Sequence, residues 1–172
     1  MRKLILKNSI IFGTLAGVSC FLFFLAMYFA FDNPLSLRRP DLGINVIFIF
    51  FAIWYYKKQM GGFLHFYEGF SIGFLTNIIG AFISGILIYL FVEFIDIKPF
   101  TTWIVEGKML LIRQKDTFGK ILNDESFRRQ LLSFDNAKPY QLFLDELMFK
   151  QLAIIFISLL SMIMRKQGDA IS

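Results

Sequence analysis

Two uncharged runs dominate this chain: SIIFGTLAGVSCFLFFLAMYFAF at residues 9–31 and GFSIGFLTNIIGAFISGILIYLFV at residues 69–92. A helix that crosses a bilayer needs roughly 20 mostly apolar residues to cover a hydrocarbon core of about 30 Å. Both runs reach that length. They therefore predict two membrane-spanning helices and indicate a helical membrane protein.

The composition agrees with a membrane location. Apolar residues make up 56% of the 172 residues, and 23 of them are phenylalanine, more than a soluble domain of this size would cover with polar surface. Arg2, Lys3 and Lys7 ahead of the first run also fit a secretory signal peptide. The apolar part of a signal peptide is only about 7–15 residues long and ends at small residues, whereas this run continues to Phe31. We therefore expect the run to be retained as span one.

Two shorter segments complete a predicted set of four spans. Residues 40–58 begin with Pro40, which suits the first turn of a helix, and end in aromatic residues and lysines that can reach the headgroups. Near the C-terminus, a helix from about Pro139 to Arg165 is expected, its first half interfacial and its second half inserted. We predict an all-α, polytopic membrane protein with a single domain over residues 1–172 and spans at about residues 9–31, 40–58, 69–92 and 148–165.

An amphipathic helical insertion is predicted between spans three and four, at about residues 98–147. Ile104, Leu111 and Phe118 recur every seven residues, which predicts a helix over about residues 101–122, and a second helix is expected over about residues 125–134. The insertion is short for a core of its own. It can lie on the membrane surface or form a helical hairpin.

The predicted last helix has an apolar face and a charged remainder. Four residues share the apolar face: Leu144, Met148, Leu152 and Ile155. Asp145, Glu146 and Lys150 lie elsewhere on the helix. The carboxylates of the long segment are interpreted as a solvated helical surface.

The basic residues of the tails and short loops predict the orientation. The N-terminal tail, the second loop and the C-terminal tail are more basic than the first loop: Arg2, Lys3, Lys7, Lys57, Lys58, Arg165 and Lys166 against Arg38 and Arg39. Both termini are therefore expected in the cytoplasm. Residues 93–150 carry nine basic and nine acidic residues, so the net charge of +5 comes from the tails and short loops. Nucleic acid, which needs a concentrated basic surface, is not an expected partner.

Small residues share one face of span one and one face of span three: Ser9, Gly13, Gly17 and Cys20 in the first, and Gly69, Gly73, Thr76, Gly80 and Ser84 in the third. Small residues four positions apart let two helix backbones approach closely in a membrane. Odd-numbered spans run in the same direction, so the two faces are expected to meet. Self-association through one face, or loose packing without a specific role, is the alternative.

The sequence predicts no catalytic, cofactor-binding or metal-binding set of residues. His65 and Cys20 are the only histidine and the only cysteine, which leaves neither a zinc site of such ligands nor an internal disulfide. Cys20 is interpreted as a small packing residue, and His65 is a weak candidate for a pH switch or proton shuttle. Asn77, near the middle of span three, is interpreted as a hydrogen bond between helices. We expect no cofactor and no enzyme activity.

The order of these features resembles that of a known family. The features are a glycine-rich first span, a second span ending in aromatic residues and Lys57-Lys58, the loop GGFLHF at residues 61–66 leading into Gly69 and Gly73, a long amphipathic segment, and a last span closed by Arg165-Lys166. This arrangement is similar to domain of unknown function 4199. The resemblance implies a small four-span inner-membrane protein of Gram-negative bacteria, and it implies no activity, cofactor or catalytic residue.

Three classes of function remain at this point. The favoured interpretation is a structural, assembly or accessory membrane protein whose amphipathic segment contacts a partner, with the lipid bilayer, another protein or a second copy of the chain as the expected partners. A small oligomeric transporter or pore is the alternative, which requires a wet, polar face among the spans. A membrane-bound enzyme would require two or more carboxylates of the long segment to converge in one cleft.

Overall fold

The computed structural model describes residues 2–31, 34–37, 39–113 and 124–166, and the regular secondary structure of these residues is helical. The helices are α1 (Arg2–Ala30), a short 3₁₀ helix (Pro34–Leu37), α2 (Arg39–Gln59), α3 (Phe66–Phe94), α4 (Lys98–Arg113), α5 (Asp124–Asp135), α6 (Tyr140–Lys150) and α7 (Ala153–Met164). The all-α prediction is therefore confirmed for the described part of the chain.

Three stretches are long and apolar enough to cross a membrane: Arg2–Ala30, Phe66–Phe94 and Tyr140–Met164. The first two overlap the predicted spans one and three. The third begins at Tyr140, ahead of the predicted start of span four at about residue 148, so it also contains residues that were predicted to belong to the amphipathic insertion. The last stretch consists of α6 and α7, which are separated by one tight turn in which the backbone N–H of Gln151 bonds the carbonyl of Met148 (3.1 Å).

The segment predicted as span two forms α2 but is not among those three long apolar helices. Asp41 in its first turn and Lys57 and Lys58 in its last turn shorten the uncharged run. Its side chains are nevertheless packed into the bundle, where Ile49 and Ile53 are fully buried.

The first and third helices run in the same direction. Near their N-terminal ends, the Ser9 hydroxyl donates to the carbonyl of Ile72 (3.3 Å), and at their C-terminal ends the Tyr28 hydroxyl donates to Asp96 (2.6 Å). The chain must therefore return between them, and it does so through α2. Tyr56, near the end of α2, donates to Glu68 at the start of α3 (3.0 Å), so α2 is antiparallel to both.

The return turn between α2 and α3 depends on two glycines. Gly61 and Gly62 have φ values of 67° and 92°, a region that residues with a Cβ rarely adopt. Just beyond the turn, Leu64 exchanges two backbone hydrogen bonds with Lys166 (2.9 and 3.0 Å). This pairing ties the start of α3 to the end of α7.

Glycines of α1 bring it against α3. A Cβ added to Gly13 or Gly17 would lie 2.7 Å from the Cβ of Ile79 or Ile83 of α3, respectively, closer than such atoms approach. The predicted contact between spans one and three is confirmed.

The prediction that the small residues of span three form one face toward span one is not confirmed, because they pack against several helices. A Cβ added to Gly80 would lie 2.9 Å from Asn45 of α2 and 3.2 Å from Ala16 of α1. A Cβ on Gly73 would meet Ile157 of α7 at 2.8 Å instead.

Two buried apolar clusters lie at opposite ends of the bundle. One contains Ile49, Ala52, Ile53, Tyr56, Leu64, Ile72, Ala153 and Ile157, and the other contains Phe24, Leu35, Ile88, Phe91, Val92, Phe100 and Leu142. Along α3, the buried residues between Ile72 of the first cluster and Ile88 of the second include Thr76, Asn77 and Ser84. A polar layer therefore separates the two apolar clusters.

Helices α4 and α5 occupy the predicted insertion. The end of the helix expected over residues 101–122 lies outside the described residues, and the helix expected over residues 125–134 is confirmed as α5. The two helices meet where Gly107 of α4 faces the ring of Phe134 (2.7 Å from an added Cβ), beside Trp103 and an ion pair between Lys108 and Asp135.

Candidate functional site

The centre of the polar layer is an ion pair within α6. Lys150 and Glu146 lie one turn apart, both have 0% exposed side chains, and Lys150 Nζ is 2.7 Å from Glu146 Oε1. Taking charges out of water costs several kcal/mol per ion unless partners compensate. Charged residues this deep in a membrane protein are a candidate functional site by default.

The interpretation of Glu146 as part of a solvated surface was therefore wrong. The apolar face of α6 and α7 is the exposed one: Leu144 (48% exposed), Met148 (74%), Leu152 (53%) and Ile155 (64%). In a soluble helix the apolar face turns inward, but in a bilayer the hydrocarbon lies outside and the polar face can turn toward the other helices. Glu146 and Lys150 point into the bundle for this reason.

A second carboxylate reaches the same lysine from α2. Asp41 is 5% exposed, and its Oδ2 lies 3.4 Å from Lys150 Nζ. Asp41 stands in the first turn of its helix, where the backbone N–H groups favour a negative charge. It meets α1 at Cys20, whose thiol donates to the Asp41 backbone carbonyl (3.7 Å).

Ser84 of α3 links the two members of the ion pair. Lys150 Nζ donates to Ser84 Oγ (2.8 Å), and Ser84 Oγ donates to Glu146 Oε1 (3.0 Å). The neighbouring Gly85 lets α6 pack closely against α3 here, because a Cβ added to Gly85 would lie 3.0 Å from Phe143 and 3.3 Å from Glu146. The serine thus ties α3 to both charges.

Two asparagines extend the layer. Asn45 of α2 donates to Asn77 of α3 (2.5 Å), and the Asn77 side chain donates to the backbone carbonyl of Lys150 (3.0 Å). In a regular α-helix the N–H of Ile154 would bond the carbonyl of Lys150. At the turn between α6 and α7 this N–H bonds the carbonyl of Gln151 instead, and the Asn77 side chain donates to the Lys150 carbonyl in its place. The prediction that Asn77 bonds between helices is confirmed.

The other residues singled out in the sequence lie apart from the charged layer, with one exception. His65 is exposed at the start of α3, and its backbone N–H donates to Glu68 (2.9 Å). Cys20 is buried against Asp41 and is the exception. Among the residues that the structure describes, no group of three or more His, Cys, Asp or Glu side chains is placed to hold a metal ion.

The sequence offered a weak signal for the residues that were missed. Glu146 and Lys150 have the spacing of an intrahelical ion pair and directly precede the uncharged run of α7. Asp41 likewise precedes the uncharged run of α2. Charges at the ends of apolar runs are also typical of interfacial anchors, so their position alone does not indicate that Asp41 meets Lys150.

Together, three long apolar helices and a charged layer among packed helices define an integral membrane protein of the helical-bundle class. The chain belongs to the family described as Protein of unknown function (DUF4199), which matches residues 11–166. The match runs from α1 to the end of α7 and confirms the resemblance seen in the sequence. Comparison with curated proteins and with solved structures gave no significant match.

Proposed function

We propose that this protein crosses the inner membrane four times, with α2 as the second span. The parallel course of α1 and α3 supports this, because a chain with two parallel spans must cross back between them. Helix α2 (21 residues) begins at the level of Cys20 and ends beside Asn8, whose side chain donates to Gln59 (2.9 Å). It therefore covers the part of the crossing near the N-terminus of α1, and the 3₁₀ helix with the buried Leu35 lies on the remaining part. The lysines at its end then lie on the cytoplasmic side together with both termini.

We further propose a structural, assembly or accessory role rather than an enzymatic one. The observation that carries this proposal is an exposed apolar strip on α4, formed by Val105, Met109 and Ile112, each about half exposed. These residues are three and four positions apart and share one helix face. The opposite side of α4 is covered, since Phe100 and Leu111 are buried. The uncovered strip is the surface that we assign to a partner.

The buried carboxylates argue against an enzyme. Asp41 and Glu146 converge, but both lie against Lys150 inside the bundle, and only Glu146 comes from the long segment. A general acid or base must come within hydrogen-bond reach of its substrate. The cavity beside Asp41 has a volume of about 10 Å³, which is too small for an organic substrate.

Photocrosslinking in native membranes tests the accessory role. A benzoylphenylalanine at Met109 is expected to give one discrete protein adduct, and the reverse experiment from that protein should recover this chain. The same residue at Arg129, exposed on the polar face of α5, is the matched control and should give none. Adducts with lipid alone, or equal adducts at both positions, would contradict a partner surface on α4.

A second candidate is a small oligomeric transporter, and the charged layer is the observation that favours it. Ion and proton pathways are marked by ionisable residues within spans. Proteoliposomes that trap a pH-sensitive dye would report proton movement under an imposed gradient. Flux that is lost on Asp41→Asn but kept on Asp145→Asn would favour this candidate, and no flux above empty vesicles would argue against it.

A further inference from the structure

The charges of the polar layer do not balance. Two carboxylates, on Asp41 and Glu146, face one ammonium group, on Lys150. The other polar side chains bonded in this layer, within the described residues, are neutral. Ser84 bonds both charged groups of α6, Cys20 and Asn77 bond the backbone carbonyls of Asp41 and Lys150, and Asn45 bonds Asn77. With every group in its usual form the layer carries one surplus negative charge, and an uncompensated buried charge is strongly unfavourable.

The two carboxylates are not equally held. Glu146 Oε1 receives Lys150 at 2.7 Å and the Ser84 hydroxyl at 3.0 Å. Each carboxylate has one buried oxygen that makes no hydrogen bond within the described residues, Oδ1 of Asp41 and Oε2 of Glu146. The difference lies in the other oxygen, because Asp41 Oδ2 is 3.4 Å from the ammonium, farther than Glu146 Oε1, and Ser84 donates to Glu146. The surplus charge is therefore least stabilised on Asp41.

A small cavity lies beside Asp41. Its volume is about 10 Å³, and its lining includes Asp41, Cys20, Phe24, Leu35 and Ile88. That volume is close to the smallest that admits one water molecule, and too small for an organic ligand. The rest of the lining is mostly apolar, so it does not solvate a negatively charged carboxylate oxygen.

We propose that Asp41 is a proton-binding site and that its Oδ1 carries a proton in the resting protein at neutral pH. Binding adds one proton to a carboxylate and changes no other bond, and it brings the layer from one negative charge to zero. Lys150 then remains paired with Glu146. The cavity beside Asp41 is where a single water molecule can deliver or accept the proton. This inference does not depend on the partner surface of α4, because a closed bundle can bind a proton without transporting one.

Infrared spectroscopy of the full chain in lipid nanodiscs tests the site directly. A protonated carboxylic acid has a carbonyl stretching band that is separate from carboxylate bands and shifts in heavy water. We expect this band at neutral pH in the unmodified protein, its loss in Asp41→Asn, and its retention in Asp145→Asn, a carboxylate exposed on the same helix as Glu146. Each variant is first checked for native helix content by circular dichroism and for elution as one species.

Three results would overturn the proposal. The first is the absence of the band at neutral pH. The second is its persistence in folded Asp41→Asn with loss in Glu146→Gln, which would move the proton to Glu146. The third is its disappearance when sodium replaces choline in the buffer, which would make a metal cation rather than a proton the occupant of the site.

Discussion

Removing the ammonium group of Lys150 is the most demanding perturbation of the charged layer. Lys150→Met keeps an unbranched side chain of similar length but leaves Asp41 and Glu146 facing each other without a positive charge. Breaking a buried ion pair by deleting one partner typically costs about 3–5 kcal/mol, because the remaining charge is buried and uncompensated. With Asp41 protonated, as proposed above, the charge of Glu146 alone is left uncompensated, so we expect a loss within that range.

Asp41→Asn should behave very differently. It removes the weaker of the two contacts to the lysine, 3.4 Å against 2.7 Å, and leaves a neutral pair of Lys150 and Glu146. We expect a cost within about 1 kcal/mol, since the amide replaces a group of nearly the same shape. The order of destabilisation should be Lys150→Met well above Asp41→Asn.

Unfolding of the purified protein in mixed micelles by increasing SDS measures both free energies. Thermal unfolding gives a second reading: a loss of about 3–5 kcal/mol lowers the Tm of a chain of this size by about 6–20 °C. Lys138→Met, which removes an exposed lysine from the loop before α6, is the control. The reasoning is refuted when Lys150→Met costs no more than Lys138→Met, or when Asp41→Asn costs as much as Lys150→Met.

Three further predictions follow from single contacts. Gly17→Ala should destabilise the α1–α3 packing by about 1–3 kcal/mol, as for other overpacked sites, whereas Gly43→Ala, which meets nothing within 4 Å, should cost nothing in the same unfolding assay. Gly62→Ala, at φ 92°, should cost about 1–3 kcal/mol through backbone strain, and an unchanged unfolding midpoint would contradict the strained turn. The hydrogen bond from the Tyr28 hydroxyl, and after it the bond from the backbone N–H of Lys98, lower the pKa of Asp96. The bond between Tyr28 and the Asp96 carboxylate should therefore be fully formed above the usual aspartate pKa. It should be lost only as the pH falls through the lowered pKa. Tyr28→Phe should move the pKa of Asp96 back toward its ordinary range, as followed by carbon-13 NMR of labelled aspartate, and no change would contradict the contact.

The long helices could be predicted from run length alone. The uncharged runs at residues 9–31 and 69–92 became α1 and α3, and the close approach of Gly13 and Gly17 to α3 followed from small residues at helical spacing. These features depend on one helix and its immediate chemistry. The glycines of α3 meet α1, α2, α6 and α7. Which glycine meets which helix depends on how the helices are arranged, and the spacing of residues along α3 does not specify that arrangement.

The charged layer could not be predicted by the same means. The order of apolar and charged residues along α6 is the same whether the apolar face packs against other helices or meets lipid. The sequence of α6 therefore does not decide whether Glu146 points into the bundle. Asp41 meets Lys150 only because the segment after α1 folds back, with Leu35 buried in the second apolar cluster, so that α2 begins at the level of Cys20. Such pairings between distant positions require the three-dimensional arrangement.

The central claim is that α2 crosses the membrane and brings Asp41 into the interior to meet Lys150. Accessibility of single cysteines to a membrane-impermeant thiol reagent in intact cells tests it most directly, on a Cys20→Ala background. Cysteines at Phe31 and Asp135 should be labelled, and cysteines at Lys3 and Gln59 should be labelled only after the membrane is permeabilised. Equal labelling at Phe31 and Gln59 in intact cells, or protection of both, would put the two ends of α2 on one side of the membrane and contradict the account.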